Sequence, residues 1–287
     1  MFKNAVVGVD GSSSGQDAVA LASRLLDDGG RLTLVHVHHD GLHPFRAISS
    51  GFSDEERAAS ERLLRDECQR AGVHADLVSA VGGSPAGTLH EQAEERGADL
   101  LVVGSSRRSV LGRVMLGDDA RRALNGAPCA VATAAQAYAE APKPPARIGV
   151  AYNDTPESRA ALQAARAIAG RTGAKVYARE VISIPTYAYT GAVPAAVGDE
   201  IDTILAEANR QMAALEGVEG SAAYGLTGEE LAAFGDNLDL LVVGSRSYGP
   251  FKRLVLGSTS DYLQRHARCS LLVLPRGAAE GAAAGDS

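Results

Sequence analysis

Two short segments of this sequence carry the residue types that bind phosphorylated ligands. Residues 10–12 (Asp-Gly-Ser) follow one apolar run, and Gly104 ends another, with Gly117 thirteen residues further on. A carboxylate accepts hydrogen bonds from ribose hydroxyls, glycine lets backbone approach a ligand closely, and free N–H groups at a helix start attract phosphate. Because the chain has no GxxxxGK[ST] motif, these residues predict nucleotide binding without a Walker loop.

The same features recur in the second half of the chain. The heptapeptide DLLVVGS occurs at 99–105 and again at 239–245, an offset of 140 residues that also relates Gly117 to Gly257. The amino-terminal ends of the two halves match more loosely, at an offset of about 143 residues. Self-similarity of this kind indicates that one unit has been duplicated.

We therefore predict two domains, at 1–134 and 147–276. The segment 135–146 between them is rich in Ala and Pro and has neither strand nor helix periodicity, so we interpret it as a linker. The tail at 277–287 has no apolar residue larger than alanine, and we expect it to be disordered.

Inside each unit, short apolar runs alternate with segments of helical periodicity. Strands that are apolar on both faces indicate a parallel sheet covered by helices on each side. We predict an α/β fold of two tandem doubly wound sheets with five parallel strands each. The strands are predicted at 5–9, 32–37, 76–81, 100–103 and 129–132, and then at 148–152, 175–181, 221–224, 240–243 and 270–274.

A ligand of such a sheet binds at the carboxyl ends of the strands, where the winding direction reverses. With the first strand beside the fourth, that crevice is lined in the first unit by Asp10 and Gly104. In the second unit it is lined by Asn153, Val243 and Gly244. Both crevices are candidate nucleotide sites.

The composition excludes several classes of function. Lys plus Arg total 28 and Asp plus Glu total 35, and the formal charge of -7 argues against a nucleic-acid coat or a polybasic membrane anchor. No apolar run approaches the roughly 20 residues that cross a bilayer, and the first residues contain no signal-peptide core. Three scattered cysteines suit a reducing compartment. We expect a cytoplasmic protein that binds neither nucleic acid nor membrane.

The chain resembles the universal stress protein family. The residues that carry the resemblance are a first strand followed by Asp-Gly-Ser, a G-x2-G-x9-G-[ST] spacing after the fourth strand, and a last strand that opens with Cys129 or Cys269. The resemblance covers nearly the whole chain apart from linker and tail, and its two units resemble the tandem-repeat members. It implies an adenine nucleotide alpha hydrolase-like sandwich with strand order 3-2-1-4-5, a homodimer, and ATP, with or without Mg²⁺, as the ligand.

Neither copy of the family's glycine loop is complete. In the first unit Gly104 and Gly117 match, whereas Arg107 stands at the middle glycine and Asp118 at the final Ser/Thr. The resemblance makes Asp10 the carboxylate that binds the ribose. The first unit thus keeps the carboxylate and lacks the hydroxyls that face phosphate.

The second unit has the opposite pattern. Gly244 and Gly257 match, Ser247 stands at the middle glycine, Ser258-Thr259 match the end of the loop, and Asn153 replaces the carboxylate. The backbone that faces adenine in the family corresponds to the ends of the second strands, at Val37 and Val181.

We favour the second unit as the better nucleotide site. Asp118 would lie in the first turn of a helix, where it caps the free N–H groups and repels a polyphosphate, and the bulk of Arg107 fills space that glycine leaves open. Ser247 is small and donates a hydrogen bond, and Asn153 still bonds a ribose hydroxyl without charge assistance. The alternative is that both loops only join a strand to a helix.

Other groups of residues favour structural roles. Four histidines crowd residues 36–43, and a solvated loop is favoured over a metal site because the second unit has no histidine at the matching positions. Cys129 and Cys269 are expected to be small buried side chains. The apolar segment 184–197 lies beside the second crevice, and we interpret it either as a lid or partner-binding flap, or as a loop packed on the neighbouring unit.

These observations predict a stress-response protein that binds ATP or a related adenine nucleotide and acts as a sensor or adaptor. It is not predicted to be a fast enzyme, because the sequence supplies no general base, Walker lysine or pair of metal-binding carboxylates. The rival prediction is a nucleotide-free scaffold that binds partner proteins, or an apolar ligand under the segment 184–197.

Overall fold

The chain divides into two compact units. The computed structural model describes residues 1–38, 50–105, 125–183, 195–245, 254 and 257–275, with the backbone alone described at 50–53 and 195–199. Within these residues, the first unit contains those up to 144 together with Leu254, and the second contains 145–245 and 257–275. No helix among the described residues is long and apolar enough to span a membrane.

The first unit is a parallel sheet with alternating helices. Its strands are β1 (Phe2–Gly8), β2 (Leu26–His38), β3 (Asp76–Val81), β4 (Leu100–Gly104) and β5 (Ala130–Ala134). Its described α-helices are α1 (Ser13–Leu25), α2 (Ser50–Ala71) and α3 (Pro85–Glu95). The sheet order is β3-β2-β1-β4-β5, and every described pairing is parallel.

The second unit repeats this topology. Its strands are β6 (Arg147–Ala151), β7 (Lys175–Ser183), β8 (Glu219–Gly225), β9 (Leu240–Gly244) and β10 (Ser270–Leu274). Its described α-helices are α4 (Pro156–Thr172), α5 (Ala195–Ala213), α6 (Thr227–Gly235) and α7 (Ser258–His266). The order β8-β7-β6-β9-β10 is again 3-2-1-4-5. The α/β fold of two doubly wound sheets is therefore confirmed.

The two copies of Leu-Leu-Val-Val form the centre of each sheet. In β4 and β9 all four of these residues are buried, as expected for a parallel strand covered on both faces. Burial of each large aliphatic side chain contributes about 1.5–3 kcal/mol relative to exposure. The largest fully buried side chains are Leu21, Leu25, Leu34, Leu64, Leu100 and Leu101 in the first unit, and Ile148, Ile168, Met212, Leu240 and Leu241 in the second.

The aspartate that begins each heptapeptide joins the first strand of its unit to the fourth. The Asp99 carboxylate accepts hydrogen bonds from the backbone N–H groups of Lys3 (2.8 Å) and Asn4 (3.1 Å). The Asp239 carboxylate accepts the N–H groups of Ala146 and Arg147, both at 2.9 Å. Charge-assisted hydrogen bonds of this kind are stronger than neutral ones. They fix the amino end of the first strand in the same way in both units.

The linker predicted at 135–146 is anchored to the first helix of its unit. A short 3₁₀ helix covers Tyr138–Glu140. The buried Asp17 side chain of α1 accepts hydrogen bonds from the N–H groups of Ala137 (3.0 Å) and Ala139 (2.7 Å). Because both carboxylate oxygens bind backbone donors, this segment has a defined path along α1.

Candidate functional site

The first unit has a cleft at the carboxyl ends of its strands, between β1 and β4. Its volume is about 180 Å³, and Asp10 and Gly104 line it together with Val37, as the sequence predicted for the crevice. The floor of the cleft is apolar and is formed by Gly8 of β1, Val35 of β2, Val103 of β4 and Leu89 of α3. The apolar floor and the acidic group at the rim suit the chemistry of a nucleobase and a ribose, while the volume between the described residues is below the range of about 300–1,000 Å³ for small-molecule sites.

Asp10 has a role in the turn that precedes α1. Its Oδ1 accepts hydrogen bonds from the Ser12 backbone N–H (3.0 Å) and from the Ser12 hydroxyl (2.6 Å). Ser12 is the N-cap of α1, and its side chain accepts the N–H of Ser14. The Asp10 side chain is exposed, and its Oδ2 has no hydrogen-bond partner within the described part of the chain. One carboxylate oxygen therefore supports the helix start, and the other remains able to accept a ribose hydroxyl.

Gly104 and Gly244 are explained by packing. A Cβ on Gly104 would lie 1.9 Å from the carbonyl oxygen of Ser14, and a Cβ on Gly244 would lie 2.6 Å from that of Glu157. The first turns of α1 and α4 thus pass directly over the ends of β4 and β9. Both glycines are needed for this contact, whether or not a ligand binds.

The second unit builds the same turn with different residues. The amide oxygen of Asn153 accepts the hydroxyl of Thr155 at 2.8 Å, and Thr155 and Ser158 form a capping box at the start of α4. Asn153 is exposed and follows β6 as Asp10 follows β1 in the first unit. Val181 is half-buried in β7, and Val243 is buried in β9.

The Asp154 carboxylate, which follows β6, is paired with Arg159 at 2.9 Å. The hydrogen bond from Arg159 lowers the pKa of the Asp154 carboxyl, and the hydrogen bond from Tyr152 lowers it further. Burial raises the pKa of the Tyr152 hydroxyl, and the bond to Asp154 adds to this. Burial likewise raises the pKa of Glu180, and the charge of Asp154 raises it further. A polyphosphate entering here meets Asp154 as a charged group.

The start of α7 is suited to an anion. Gly257 is its N-cap, no side chain caps this end, and a Cβ on Gly257 would meet nothing within 4 Å. Ser258 is exposed and Thr259 is half-buried in the first turn. The uncapped N–H groups and the helix dipole favour negative charge at this point. Asp261, which pairs with Arg265, is the acidic residue of this turn.

Several sequence-predicted residues lie outside the described part of the chain. They are Arg107, Gly117 and Asp118 in the first glycine loop, Ser247 in the second, and His39 and His43 of the histidine segment. The segment 184–194 and the tail at 277–287 also lie outside it. The ranking of the two glycine loops therefore stays a prediction.

The remaining histidines and cysteines have structural surroundings. His36 Nδ1 lies 2.7 Å from the Val9 carbonyl oxygen, and His38 Nε2 lies 3.0 Å from the Ser79 hydroxyl. Within the described ranges, no group of three or more His, Cys, Asp or Glu side chains is placed to bind a metal. Cys129 and Cys269 are buried, as predicted, and burial raises the pKa of each thiol to about 12.

Sequence reasoning missed part of the first cleft. Val103 lines it, although only its repeat counterpart Val243 was singled out as a candidate. The offset of 140 residues between the heptapeptides relates these two valines directly. Gly8 was also missed; a Cβ there would lie 2.9 Å from Leu89 of α3, so glycine lets that helix approach the sheet.

Comparison with known proteins gives one consistent result. A family model described as "Universal stress protein family" matches residues 1–134 and 145–275. A Thermus aquaticus protein, "Universal stress protein in QAH/OAS sulfhydrylase 3'region", is 31% identical over 138 residues, which are 46% of this chain and 97% of that one. "Universal stress protein YxiE" of Bacillus subtilis is 28% identical over 145 residues, with 46% and 97% coverage.

A solved structure extends the similarity to both units. The crystal structure of a universal stress protein from Archaeoglobus fulgidus matches with a TM-score of 0.65 and 17% identity, over 96% of this chain and 100% of that chain. At this identity the match bears on the fold alone. The matched region includes both five-stranded units of this chain.

Proposed function

Because this chain belongs to the universal stress protein family, we propose that it is a stress-response protein that binds ATP or a related adenine nucleotide as a sensor or adaptor. The observation that carries the proposal is the cleft of about 180 Å³ in the first unit, with its apolar base and the Asp10 carboxylate at its rim. Adenine is flat and largely apolar on its faces, and ribose hydroxyls are good donors to a carboxylate.

The two units contribute different parts of the proposed recognition. Val35, Val37 and Val103 give the first cleft the better surface for a base. In the second unit, Gly257 and the uncapped start of α7 give the better support for phosphate. We propose that adenosine recognition is stronger in the first crevice, and that phosphate recognition is stronger in the second.

A thermal-shift titration tests this proposal. A ligand at 100 times its Kd stabilises the folded state by about 2.7 kcal/mol, which raises Tm by about 5–10 °C for a unit of this size. ATP, ATP with Mg²⁺ and adenosine are each titrated against the full chain. No shift at millimolar nucleotide refutes the proposal and favours the nucleotide-free scaffold.

Two variants assign the response to a unit. Asp10→Ala is expected to reduce the shift caused by adenosine, and Gly257→Asp the shift caused by ATP but not that caused by adenosine, because the new carboxylate repels phosphate. Each variant is compared with its own ligand-free Tm. If neither variant changes either shift, the nucleotide binds elsewhere and the assignment is wrong.

The sensor role also implies slow turnover and, from the family resemblance, a homodimer. Release of phosphate from ATP is expected to be far slower than for a dedicated ATPase, since the sequence has no GxxxxGK[ST] motif and so no Walker lysine. Light scattering of the full chain, with and without ATP, measures the oligomeric state. Fast hydrolysis contradicts the adaptor role, and a monomer under all conditions contradicts the dimer.

A further inference from the structure

The second unit contains another pocket, on the face of its sheet that α6 covers. Its volume is about 450 Å³, within the range of about 300–1,000 Å³ for small-molecule sites. It lies toward the amino-terminal ends of β6, β7 and β8, whereas the nucleotide crevice lies at the carboxyl ends. We call it the arginine pocket. The residues that define it are Arg147, Tyr177, Arg179, Ser221, Phe234 and Leu238.

Both arginines are held against aromatic rings. The Arg147 guanidinium carbon lies 4.7 Å from the centre of the Tyr177 ring, and its Nε donates to the Asn237 carbonyl oxygen at 2.6 Å. The Arg179 guanidinium carbon lies 4.9 Å from the centre of the Phe234 ring, and its Nε donates to the Ser221 hydroxyl at 2.9 Å. Stacking and a single hydrogen bond thus fix each guanidinium plane before any ligand arrives.

The charge of these two groups is not offset by an ion pair. Within the part of the chain that the structure describes, neither Arg147 nor Arg179 pairs with a carboxylate, and their Nη groups have no hydrogen-bond acceptor. Glu219 and Glu230 also line the pocket, but Glu219 lies 3.6 Å from the Lys175 ammonium and is paired with it. The four charged lining residues, two arginines and two glutamates, sum to zero, but Glu219 is paired with Lys175 outside the lining. Among the described residues this leaves one unpaired carboxylate, Glu230, for two guanidiniums.

The shared fold does not require these residues. Gly149 pairs with Leu241 as Val6 pairs with Leu101, the repeat counterpart of Leu241. Strand pairing therefore relates Gly149, Tyr177 and Arg179 to Val6, Thr33 and Val35 of the first unit, which are fully buried. The same fold is thus stable with small, buried valine and threonine side chains at these positions. The second unit has two large polar or aromatic side chains and a glycine there instead.

Gly149 explains how the pocket is built. A Cβ at this position would lie 2.1 Å from Leu238 and 2.8 Å from the Phe234 ring. The absence of a side chain therefore lets the Phe234 ring approach the sheet at Gly149, with the Arg179 guanidinium over the ring. The aromatic ring, the glycine and the arginine form one arrangement that the first unit lacks.

We propose that the arginine pocket binds a small aromatic acid, a planar ring that carries a carboxylate or a phosphate ester group. The acid group binds the Nη atoms of Arg147 and Arg179, which suit the paired oxygens of either group. The ring packs against the exposed parts of Tyr177, Phe234 and Leu238. Most of this pocket lies nearer the amino-terminal ends of the strands than the proposed nucleotide crevice, although Arg179 occupies the strand position of Val35, which lines the first cleft.

Four probes separate the parts of this recognition, each titrated into the full chain by calorimetry. Benzoate and phenyl phosphate carry ring and charge, benzamide carries the ring alone, and inorganic phosphate carries the charge alone. We expect saturable binding of one or both aromatic acids, and binding of benzamide and inorganic phosphate at least about tenfold weaker. Comparable binding of inorganic phosphate or of benzamide refutes the proposal, as does no saturation by either acid up to about 10 mM.

Three variants locate the binding. Arg147→Ala and Arg179→Ala are each expected to weaken the aromatic acid about tenfold or more. Arg166→Ala is the matched control, because Arg166 is an exposed arginine of the same unit whose guanidinium also donates to a backbone carbonyl oxygen, that of Glu216. Equal weakening in all three variants would show a general charge effect and refute the assignment.

A second readout keeps the test decisive if a variant is poorly folded. In the unaltered chain, the Nε–H resonances of Arg147 and Arg179 are expected to shift on titration with benzoate, while that of Arg166 stays in place. Arg179→Lys retains the charge without the planar group and is expected to bind more weakly than the unaltered chain. Unchanged Nε–H resonances at a benzoate concentration that saturates the calorimetric signal place the ligand elsewhere and refute the proposal.

Discussion

Replacing Gly104 with alanine is expected to destabilise the first unit, because the new methyl group would overlap the backbone of α1. Its Cβ would lie 1.9 Å from the Ser14 carbonyl oxygen and 2.4 Å from the carbonyl carbon. Neither atom belongs to a flexible side-chain end. The first turn of α1 must therefore move by about 1.5 Å to restore an ordinary contact, and the buried side chains Leu21 and Leu25 are on the same helix.

The size of the effect follows from the contact distances. Overpacking of a core costs about 1–3 kcal/mol and occasionally more, and a backbone overlap this close belongs at or above about 3 kcal/mol. In Gly244→Ala the closest atom is the Glu157 carbonyl oxygen at 2.6 Å, so we expect about 2 kcal/mol. In Gly257→Ala nothing lies within 4 Å, and only a weaker helix cap is expected, at about 0.5–1 kcal/mol.

Calorimetry of the three variants without nucleotide measures this order. For a unit of this size 1 kcal/mol corresponds to about 2–4 °C, so Gly104→Ala should lower the transition of its unit by about 6–12 °C. Hydrogen exchange at β1 and β4 identifies which unit has been destabilised. The three substitutions are chemically identical, so each is a control for the others.

One result would refute the packing explanation of the predicted loop glycines. If Gly104→Ala unfolds at the same temperature as Gly257→Ala but loses a nucleotide-dependent shift, its glycine serves the ligand. The distances from Gly104 to Ser14 would then not represent the contact in the folded protein. A large loss of stability without nucleotide, in the order 104, 244, 257, is the outcome that the geometry predicts.

Three further predictions concern single side chains. Asp99→Ala removes the acceptor of two backbone N–H groups and should cost about 2–3 kcal/mol in urea denaturation, and Asp99→Asn should cost less. If both variants were as stable as the unaltered chain, the two hydrogen bonds to Asp99 would not stabilise the first strand. Cys129 and Cys269, whose thiol pKa burial raises from 9.0 to about 12, should resist alkylation at pH 8 while half-exposed Cys68 reacts, and mass spectrometry counts the labels. Burial favours the neutral thiols, so their contribution to stability is full below pH 9 and is lost as the pH rises toward about 12. Asp17→Ala should increase chymotrypsin cleavage of the linker at Tyr138. An unchanged cleavage rate would show that the hydrogen bonds to Asp17 do not hold the linker in place.

The sequence was most informative about topology. The repeated heptapeptide and the alternating periods predicted two five-stranded parallel sheets, and the resemblance implied their strand order, because buried strands and their connections follow strong rules. The strand predicted at 32–37 is longer in the structure, since β2 begins at Leu26 and its pairing with β1 shifts between Phe2 and Asn4. A local irregularity that includes Gly29 and Gly30 has no periodic signal that predicts it.

Side-chain roles at the site were harder to predict, because they depend on contacts between distant segments. The pattern marked Gly104 as a ligand residue, yet the carbonyl oxygen that requires it belongs to Ser14, ninety positions earlier. Arg179 stands in an alternating strand, where a charged residue ordinarily points to water. Only the approach of Phe234 over Gly149 gives it an aromatic partner.

Asp99 and Asp239, at the amino-terminal ends of the strands in their units, affect which substitutions the fold accepts. In a parallel sheet, a slip of one residue would turn every inward side chain outward. Asp99 and Asp239 bind main-chain groups of their first strands, so they support this alignment in addition to the buried side chains. Substitutions at the carboxyl-terminal ends of the strands leave these hydrogen bonds intact, so the two halves of the repeat can differ there and keep the same strand order.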